Sequence, residues 1–597
     1  MLRPHSRRPW TGFITGFFVL STLLAAIIFL GIPSLQRLRL RIGVSLFDSG
    51  VLGLYPVHEY VSTDLVSPKL EQVAWDPRCS NDLIFLSARG DAVEQPGPMI
   101  FNAQGELVWK LPPTSERLDN FQVQEYRGET FLTYWHGVGE NGHGRGSWIM
   151  MDSTYTPRLE VRAVGMAEGD MHEFRITPNN TALIIVYTTQ PADLSDLGGP
   201  QQGYIHDCLF QEIDIATGEL IFEWRMSEHV PLASSYEALL GNGWSPAHPY
   251  DVFHMNSVDK DEAGNYLISA RHTHSITSVD GRTGAVLWTL GGALNEFADA
   301  SNGSATDFAW QHHARWQDSQ TITLLDNGAK WFFDEPTASR GLVLELDVPN
   351  RIATVKATYQ TPTEQATGTL SQGSMQLLPD TGNVFIGWGH CAAFTEFAPD
   401  GEVLCDTHFG AGNWFQLGRV MSYRTTRGRW VGRPRTRPDA VVRGSSVYVS
   451  WNGATEVARW QVQRWDGRNM GPQMAFTPEQ TVPRDGFETE IPLSGKAGTA
   501  VYFRVAALDA QGQVLGVSQV LGQQPQGWGE RFASRYLDPM SSEVETTLVL
   551  VGGCLSWCVF LLWRWIVNRR WQRRGYKPLS LEMSDRYSTD DSQAVLG

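Results

Sequence analysis

One short pattern recurs along this chain and restricts its architecture more than any other feature. An apolar alternation, a tight polar turn and a second alternation ending near Trp are spelled out as Phe101-Asn102-Ala103-Gln104-Gly105-Glu106-Leu107-Val108-Trp109, again from Ile213 to Trp224, and again from Val279 to Trp288. Weaker copies lie around Met151-Asp152, Leu346-Asp347 and Phe397 to Glu402. Asp or Asn with Gly builds a hairpin turn, and period-2 flanks are its strands. Ahead of each hairpin comes another strand pair: Asn81 to Ser87, Asn120 to Tyr134, His172 to Tyr187, His254 to Ala270, His312 to Leu325 and Ser374 to Gly387. Four strands returning about every 50–67 residues, six times over, predict a β-propeller, whose radial closure removes the exposed sheet edges. The expected fold is all-β, with a six-bladed propeller over residues 55–430.

After Pro434 the pattern changes. Val441 to Trp451, Ala458 to Arg464 and Val501 to Leu508 read as strands of a fibronectin-III/Ig-like β-sandwich over 436–522, with a divergent blade as the alternative. Residues 523–545 read as a stalk. Composition agrees: 58 Gly, 31 Pro and 22 Trp do not suit a helical bundle. A net charge of −16, with no Lys/Arg cluster outside the ends, argues against a nucleic-acid partner.

The two ends predict membrane attachment. Residues 1–11 carry Arg3, Arg7 and Arg8 and read as cytosolic; Gly12 to Ile32 is uncharged and long enough for a transmembrane signal-anchor, with a cleaved signal peptide as the alternative. A second helix is expected over 546–567. The basic residues that follow it (Arg569, Arg570, Arg573, Arg574) place the polar tail, 568–597, in the cytosol. The body between the spans is then lumenal or extracellular, in the secretory pathway or at the cell surface. Sequons at Asn179 and Asn302 suit that side as glycosylation sites. So do four body cysteines, Cys79, Cys208, Cys391 and Cys405. Cys391 and Cys405 flank the turn Ala398-Pro399-Asp400-Gly401, so a bridge between them is the first expectation, against unpaired buried cysteines.

Aligning the repeats on their first strands gives the functional signal. Asp170-Met171-His172-Glu173, Asp251-Val252-Phe253-His254-Met255-Asn256 and Trp310-Gln311-His312-His313 each place a His near the start of a blade. First strands line the central channel, so these imidazoles are expected to meet. Arg271, in Ser269-Ala270-Arg271-His272-Thr273-His274, ends the next strand of the His254 blade and returns to the same channel mouth. An Arg there keeps imidazoles neutral and offers a fork to oxyanions. Asn256, His272, His313 and His390 are secondary, substrate-binding candidates, although His272 and His274 also suit outer packing. The glycine-rich run from Gly137 to Gly146 reads as a long hairpin loop. No nucleotide-binding loop, nucleophile elbow or His-Glu-x-x-His is present, and no cofactor or metal is expected.

At these residues the chain resembles the arylsulfotransferase (arylsulfate sulfotransferase-like) family, in its fungal-type branch. The resemblance is carried by Asp251-Val252-Phe253-His254-Met255-Asn256-Ser257-Val258, Ser269-Ala270-Arg271-His272, Trp288-Thr289-Leu290-Gly291-Gly292, and Gln311-His312 followed by Leu325-Asp326-Asn327-Gly328. It implies transfer of a sulfuryl group from an aryl sulfate to a phenol, without a nucleotide donor. It also implies that His312 is transiently sulfated, with His254, Arg271 and His172 assisting. Two other readings stay open: a His-ligated metal enzyme on a propeller, and a non-catalytic recognition propeller.

Overall fold

Alternating apolar runs form antiparallel meanders in the order that the repeats predict. In a computed structural model, residues 45–140, 142–165, 168–328, 338–360, 368–465, 475–493 and 501–523 are described. Meander II comprises Arg117–Tyr126, Glu129–Glu140, His143–Met151 and Pro157–Val161; meander III comprises Gly169–Ile176, Thr181–Ala192, Gly203–Asp214 and Leu220–Arg225. Meander IV is Met255–Lys260, Tyr266–Ala270, Ser275–Val279 and Val286–Leu290. Meander V is His312–Trp316, Thr321–Asp326, Arg340–Asp347 and Ile352–Gln360. Meander VI is Ser374–Leu377, Val384–Gly387, Ala393–Phe397 and Val403–His408, with Glu71–Ala74 added at its outer edge. Meander I is assembled from both ends of the repeat region: Leu83–Arg89, Gly97–Phe101 and Leu107–Lys110 take their innermost strand from Met421–Gly428.

The first strands close on themselves. Met421–Gly428 packs on Arg117–Tyr126, which packs on Gly169–Ile176, then Met255–Lys260, His312–Trp316, Ser374–Leu377 and back to Met421–Gly428. This all-β, propeller-like ring is filled between meanders by apolar side chains such as Trp135, Trp148, Trp388, Phe85 and Phe101, all buried. Glu173, fully buried inside the ring, holds Arg315 at 2.6 Å and Arg424 at 2.9 Å. The paired arginines hold its carboxyl down at about 2 against the opposing effect of burial. Removing one member of such a buried set typically costs about 3–5 kcal/mol, because the remaining charges are stranded.

Asp439–Arg443, Ser446–Ser450 and Glu488–Pro492 form a second, three-stranded sheet, facing another built on Arg459–Trp465 and Val501–Leu508. Val447, Val449, Trp460, Ile491 and Val505 pack between them. Paired hydrogen bonds between Lys110 and Asn452, at 2.9 and 2.8 Å, tie this layer to meander I.

The disulfide differs from expectation. Cys405 pairs with Cys79, while Cys391 and Cys208 are free and buried. Strand register explains why: Ala393 opposes His408 and Glu396 opposes Cys405, so Cys391 lies beyond the far end of the strand pair. At about 3.3 Å per residue that separation exceeds the reach of a disulfide. The expected spans at 12–32 and 546–567, the cytosolic segments 1–11 and 568–597, and the stalk beyond residue 523 lie outside the described residues. Among the described residues no helix is long and apolar enough to cross a membrane. Asn179 and Asn302 are exposed in turns.

Candidate active site

Five of the ring's six first strands share a local irregularity. Pairing slips between Asp119 and Gln122, Gly169 and Phe174, Met255 and Ser257, His312 and Arg315, and Ser422 and Thr425. Asn120, His254 and His313 take positive φ of 52°, 54° and 59° at or beside these points. Bulges re-aim side chains, and non-glycine residues pay about 1–3 kcal/mol to hold such φ values, so the repeat position itself is built to present particular groups.

What it presents is a cluster of imidazoles from three meanders. His172 Nδ1 bonds Asp170 Oδ1, and Asp170 Oδ2 accepts the Gly144 N–H at 2.6 Å. His254 Nδ1 lies 2.6 Å from Asp251 Oδ2, and the same oxygen takes His143 Nε2 at 2.9 Å. The Asp251 carbonyl accepts His272 Nδ1 at 2.7 Å. Ring centroids are 4.9 Å apart for His172–His254, 4.8 Å for His143–His254 and 4.7 Å for His254–His272. The carboxylates fix which nitrogen carries the proton and leave Nε2 of His172 and His254 as the working atom.

Arg271 borders this cluster. Its Nη1 is 2.9 Å from His272 Nε2, its Nη2 donates to the Leu370 carbonyl at 3.1 Å, and its guanidinium lies 5.0 Å from the Trp310 ring centre. Burial lowers its pKa to about 10, which leaves it charged at neutral pH. His312 donates Nδ1–H to Asn327 Oδ1 at 2.7 Å; the Asn327 amide is oriented by its own donations to the Thr369 and Gln372 carbonyls, at 3.0 and 3.1 Å. The Nε2 lone pair of His312 accepts the backbone N–H of Gln372 at 3.2 Å. Burial first, and the positive charge of Arg271 second, hold His312 well below the ordinary imidazole range. Burial also dominates for His254 and His272, both held well below it. The cation adds to an effect that desolvation leads, so the sequence argument named the smaller cause.

The secondary candidates separate. His272 joins the cluster. His313 does not: it accepts the Met375 N–H at 3.3 Å and lines a cavity of about 650 Å³ at the other ends of the first strands, with Arg175, Arg315 and Gln376. Asn256 is fully buried, its amide donating to the Gln311 carbonyl at 2.7 Å. His390 meets the Gln416 carbonyl at 3.3 Å, and His274 stacks on Tyr236 with ring centres 4.2 Å apart.

Sequence reasoning missed His143, His206 and the anchoring role of Asp251. His143 lies in the run from Gly137 to Gly146, which is ladder and not loop: Gly137 pairs with Gly146, Gly139 with Gly144 and Glu140 with His143. A Cβ on Gly144 would sit 2.6 Å from Trp135, and one on Gly146 would sit 2.0 Å from the His136 carbonyl, so only glycine lets this hairpin reach the cluster. Three groups could hold a metal ion, each with donor atoms within 4.8 Å of one another: His143–Asp170–His172, His143–His206–Asp251 and Asp251–His254–His272.

Among solved structures, the chain is similar to a protein of unknown function from Bacteroides caccae (13% identity, 58% of this chain and 100% of that one, TM-score 0.33). It is also similar to the Myceliophteria thermophila Cps50 (Swd1) β-propeller domain (10% identity, 56% and 95%, TM-score 0.28) and to a streptogramin B lyase (9% identity, 70% and 94%, TM-score 0.26). At these TM-scores the likeness carries no argument, and the strand pairings above define the fold. No curated protein matches. The family comparison is specific, matching arylsulfotransferase (ASST) over residues 122–410, the stretch that supplies Asp170, His172, Asp251, His254, Arg271 and His312. Over that stretch the chain is similar to the arylsulfotransferase (ASST) family.

Proposed function

We propose that this protein is a six-bladed propeller arylsulfotransferase that moves a sulfuryl group from an aryl sulfate to a phenol through a sulfohistidine at His312. One observation carries the reading: a neutral, Asn327-oriented imidazole lies in the field of a buried, charged Arg271. In the first step the His312 Nε2 lone pair attacks sulfur, the sulfur–oxygen bond to the aryl group breaks, and the phenolate leaves to take its proton from solvent, while His254 stays neutral with its Nε2 lone pair free for the second step, after which it returns the proton to solvent. In the second step an acceptor phenol gives its proton to His254 while its oxygen attacks sulfur, and the nitrogen–sulfur bond breaks. Two transfers through a covalent intermediate replace one harder displacement. Arg271 stabilises the sulfuryl oxygens where negative charge gathers, a contribution of about 3–4 kcal/mol for a well-placed donor. For His312 to attack, its Nε2 must exchange the Gln372 N–H for sulfur.

The body is assigned to the lumenal or extracellular side of a membrane anchored at both ends, and its disulfide supports an oxidising compartment. Its second layer is assigned as a fibronectin-III-like sandwich. The decisive test is incubation with 4-nitrophenyl sulfate: a burst of nitrophenol with an SO₃ adduct on the His312 peptide is expected, and both should vanish in His312→Asn. An adduct on no histidine overturns the covalent mechanism.

A further inference from the structure

Beside the sulfuryl site, three donors from separate elements converge; His143 Nε2 and Asp251 Oδ2 meet at 2.9 Å, which leaves the second ligand atom of each residue over. His143 comes from the glycine hairpin of meander II and His206 from the strand Gly203–Asp214 of meander III. Asp251 precedes meander IV and is held next to His206 by backbone bonds: His206 N–H donates to the Tyr250 carbonyl at 2.8 Å and Tyr250 N–H to the Tyr204 carbonyl at 2.9 Å. One ligand atom from each of the three lies within 4.8 Å of the other two, and the His143 and His206 ring centres are 4.4 Å apart.

Of the three groups at this end of the ring, this one keeps open donors. Asp170 has both oxygens engaged, by His172 and by Gly144. His272 turns Nε2 toward the Arg271 guanidinium, which opposes a second cation there. By contrast, among the described residues His143 Nδ1 and Asp251 Oδ1 are buried with no hydrogen-bond partner. Buried polar atoms left bare are costly, and buried charges are normally paired or bound to metal. Around His143 the carboxylates of Asp251 and Asp170 favour positive charge, and Arg271 opposes it more weakly.

We infer that His143, His206 and Asp251 form a binding site for one divalent transition-metal ion, of the zinc, cobalt or iron(II) class. Two imidazoles and one carboxylate suit such ions better than magnesium or calcium, which prefer all-oxygen shells. Bonds of about 2.1 Å place tetrahedral donors about 3.4 Å apart, so the site closes by side-chain movements of about an ångström. The half-buried His206 is best placed to make them. The ion would fasten meander II to meanders III and IV behind His254, whose Nδ1 shares the Asp251 carboxylate.

The test uses the full-length protein stripped with chelator and titrated with Co²⁺. One equivalent retained through desalting is expected, with visible absorption bands of a nitrogen-rich, low-coordinate ion. Zn²⁺ should displace it and a tenfold excess of Mg²⁺ should not. Each of His143→Ala and His206→Asn should weaken retention more than about 100-fold, since even supporting residues of metal sites are worth about 10–100-fold. Should His143→Ala fail to fold, the half-buried His206→Asn decides. His312→Asn should retain the ion in full, so loss of nitrophenol release and loss of metal are read separately. No retained Co²⁺, or retention unchanged in folded His206→Asn, overturns the site.

Discussion

Asn327 Oδ1 lies 2.7 Å from His312 Nδ1, and this contact, together with the Gln372 N–H on Nε2, decides which nitrogen of the proposed nucleophile carries its lone pair. Replacing Asn327 with Leu frees the ring to rotate and to change tautomer. The burst rate with 4-nitrophenyl sulfate, read on folded protein, should fall about 10–100-fold, the usual effect of a misplaced reacting group, and the melting temperature should fall as well, because the Thr369 and Gln372 carbonyls lose a buried donor. Unchanged burst kinetics in a folded variant would mean that the tautomer is set elsewhere.

Arg271 is expected to act on rate and on pH profile together. Arg271→Gln should lower kcat by about 10²–10³, the scale for one oxyanion donor. The charge also helps to hold His312 well below its ordinary pKa, so wild-type activity should stay flat as pH falls from 8 toward 6. Losing the cation should move the acid limb upward. A limb that stays in place, measured on the burst phase, would separate Arg271 from His312 electrostatically.

His408 gives a pH effect on stability far from that chemistry. Its Nδ1 is 2.7 Å from Asp48 and its Nε2 is 3.6 Å from Asp406. Burial pulls the ring down, but the two carboxylates outweigh it and raise it to about 9. A raised folded pKa contributes stability that is complete below the unfolded value near 6.5 and is lost as pH rises through about 9. The loss should approach about 3 kcal/mol, and His408→Asn should flatten denaturant midpoints measured from pH 6 to 9.5.

Cys79–Cys405 closes a separation of 326 residues between the segment before meander I and the outer part of meander VI. Cys79→Ser with Cys405→Ser should cost about 2–5 kcal/mol in chemical unfolding. Cys391→Ser should leave the non-reducing peptide map unchanged, because that thiol is free.

Strand order was legible because a hairpin such as Val279 to Trp288 states its turn and both flanks locally. The meeting of His172 and His254 followed from their equal place in the repeat, and that of Arg271 from the return of its strand to the same end of the ring. His143 was hidden by its neighbours: glycines that read as a loop serve to bring two strands close over Trp135. His206 sits in the third strand of its meander and reaches the cluster only because the Tyr250 backbone pairs across to it. Cys79 carried no local mark of its partner, since ring closure alone brings residue 79 beside residue 405. Pairings made by closure cannot be read from spacing.

The strand Met421–Gly428 completes the sheet begun by Leu83–Arg89. During synthesis the early strand therefore waits for a partner made more than three hundred residues later, and until then its bare backbone is open to any passing extended chain. A nascent chain halted short of residue 421 holds every histidine of the cluster and still lacks a shut ring. Translation arrest or truncation there should send the product to chaperones or into aggregates, and ligand-responsive stability should emerge abruptly once the final strand is released.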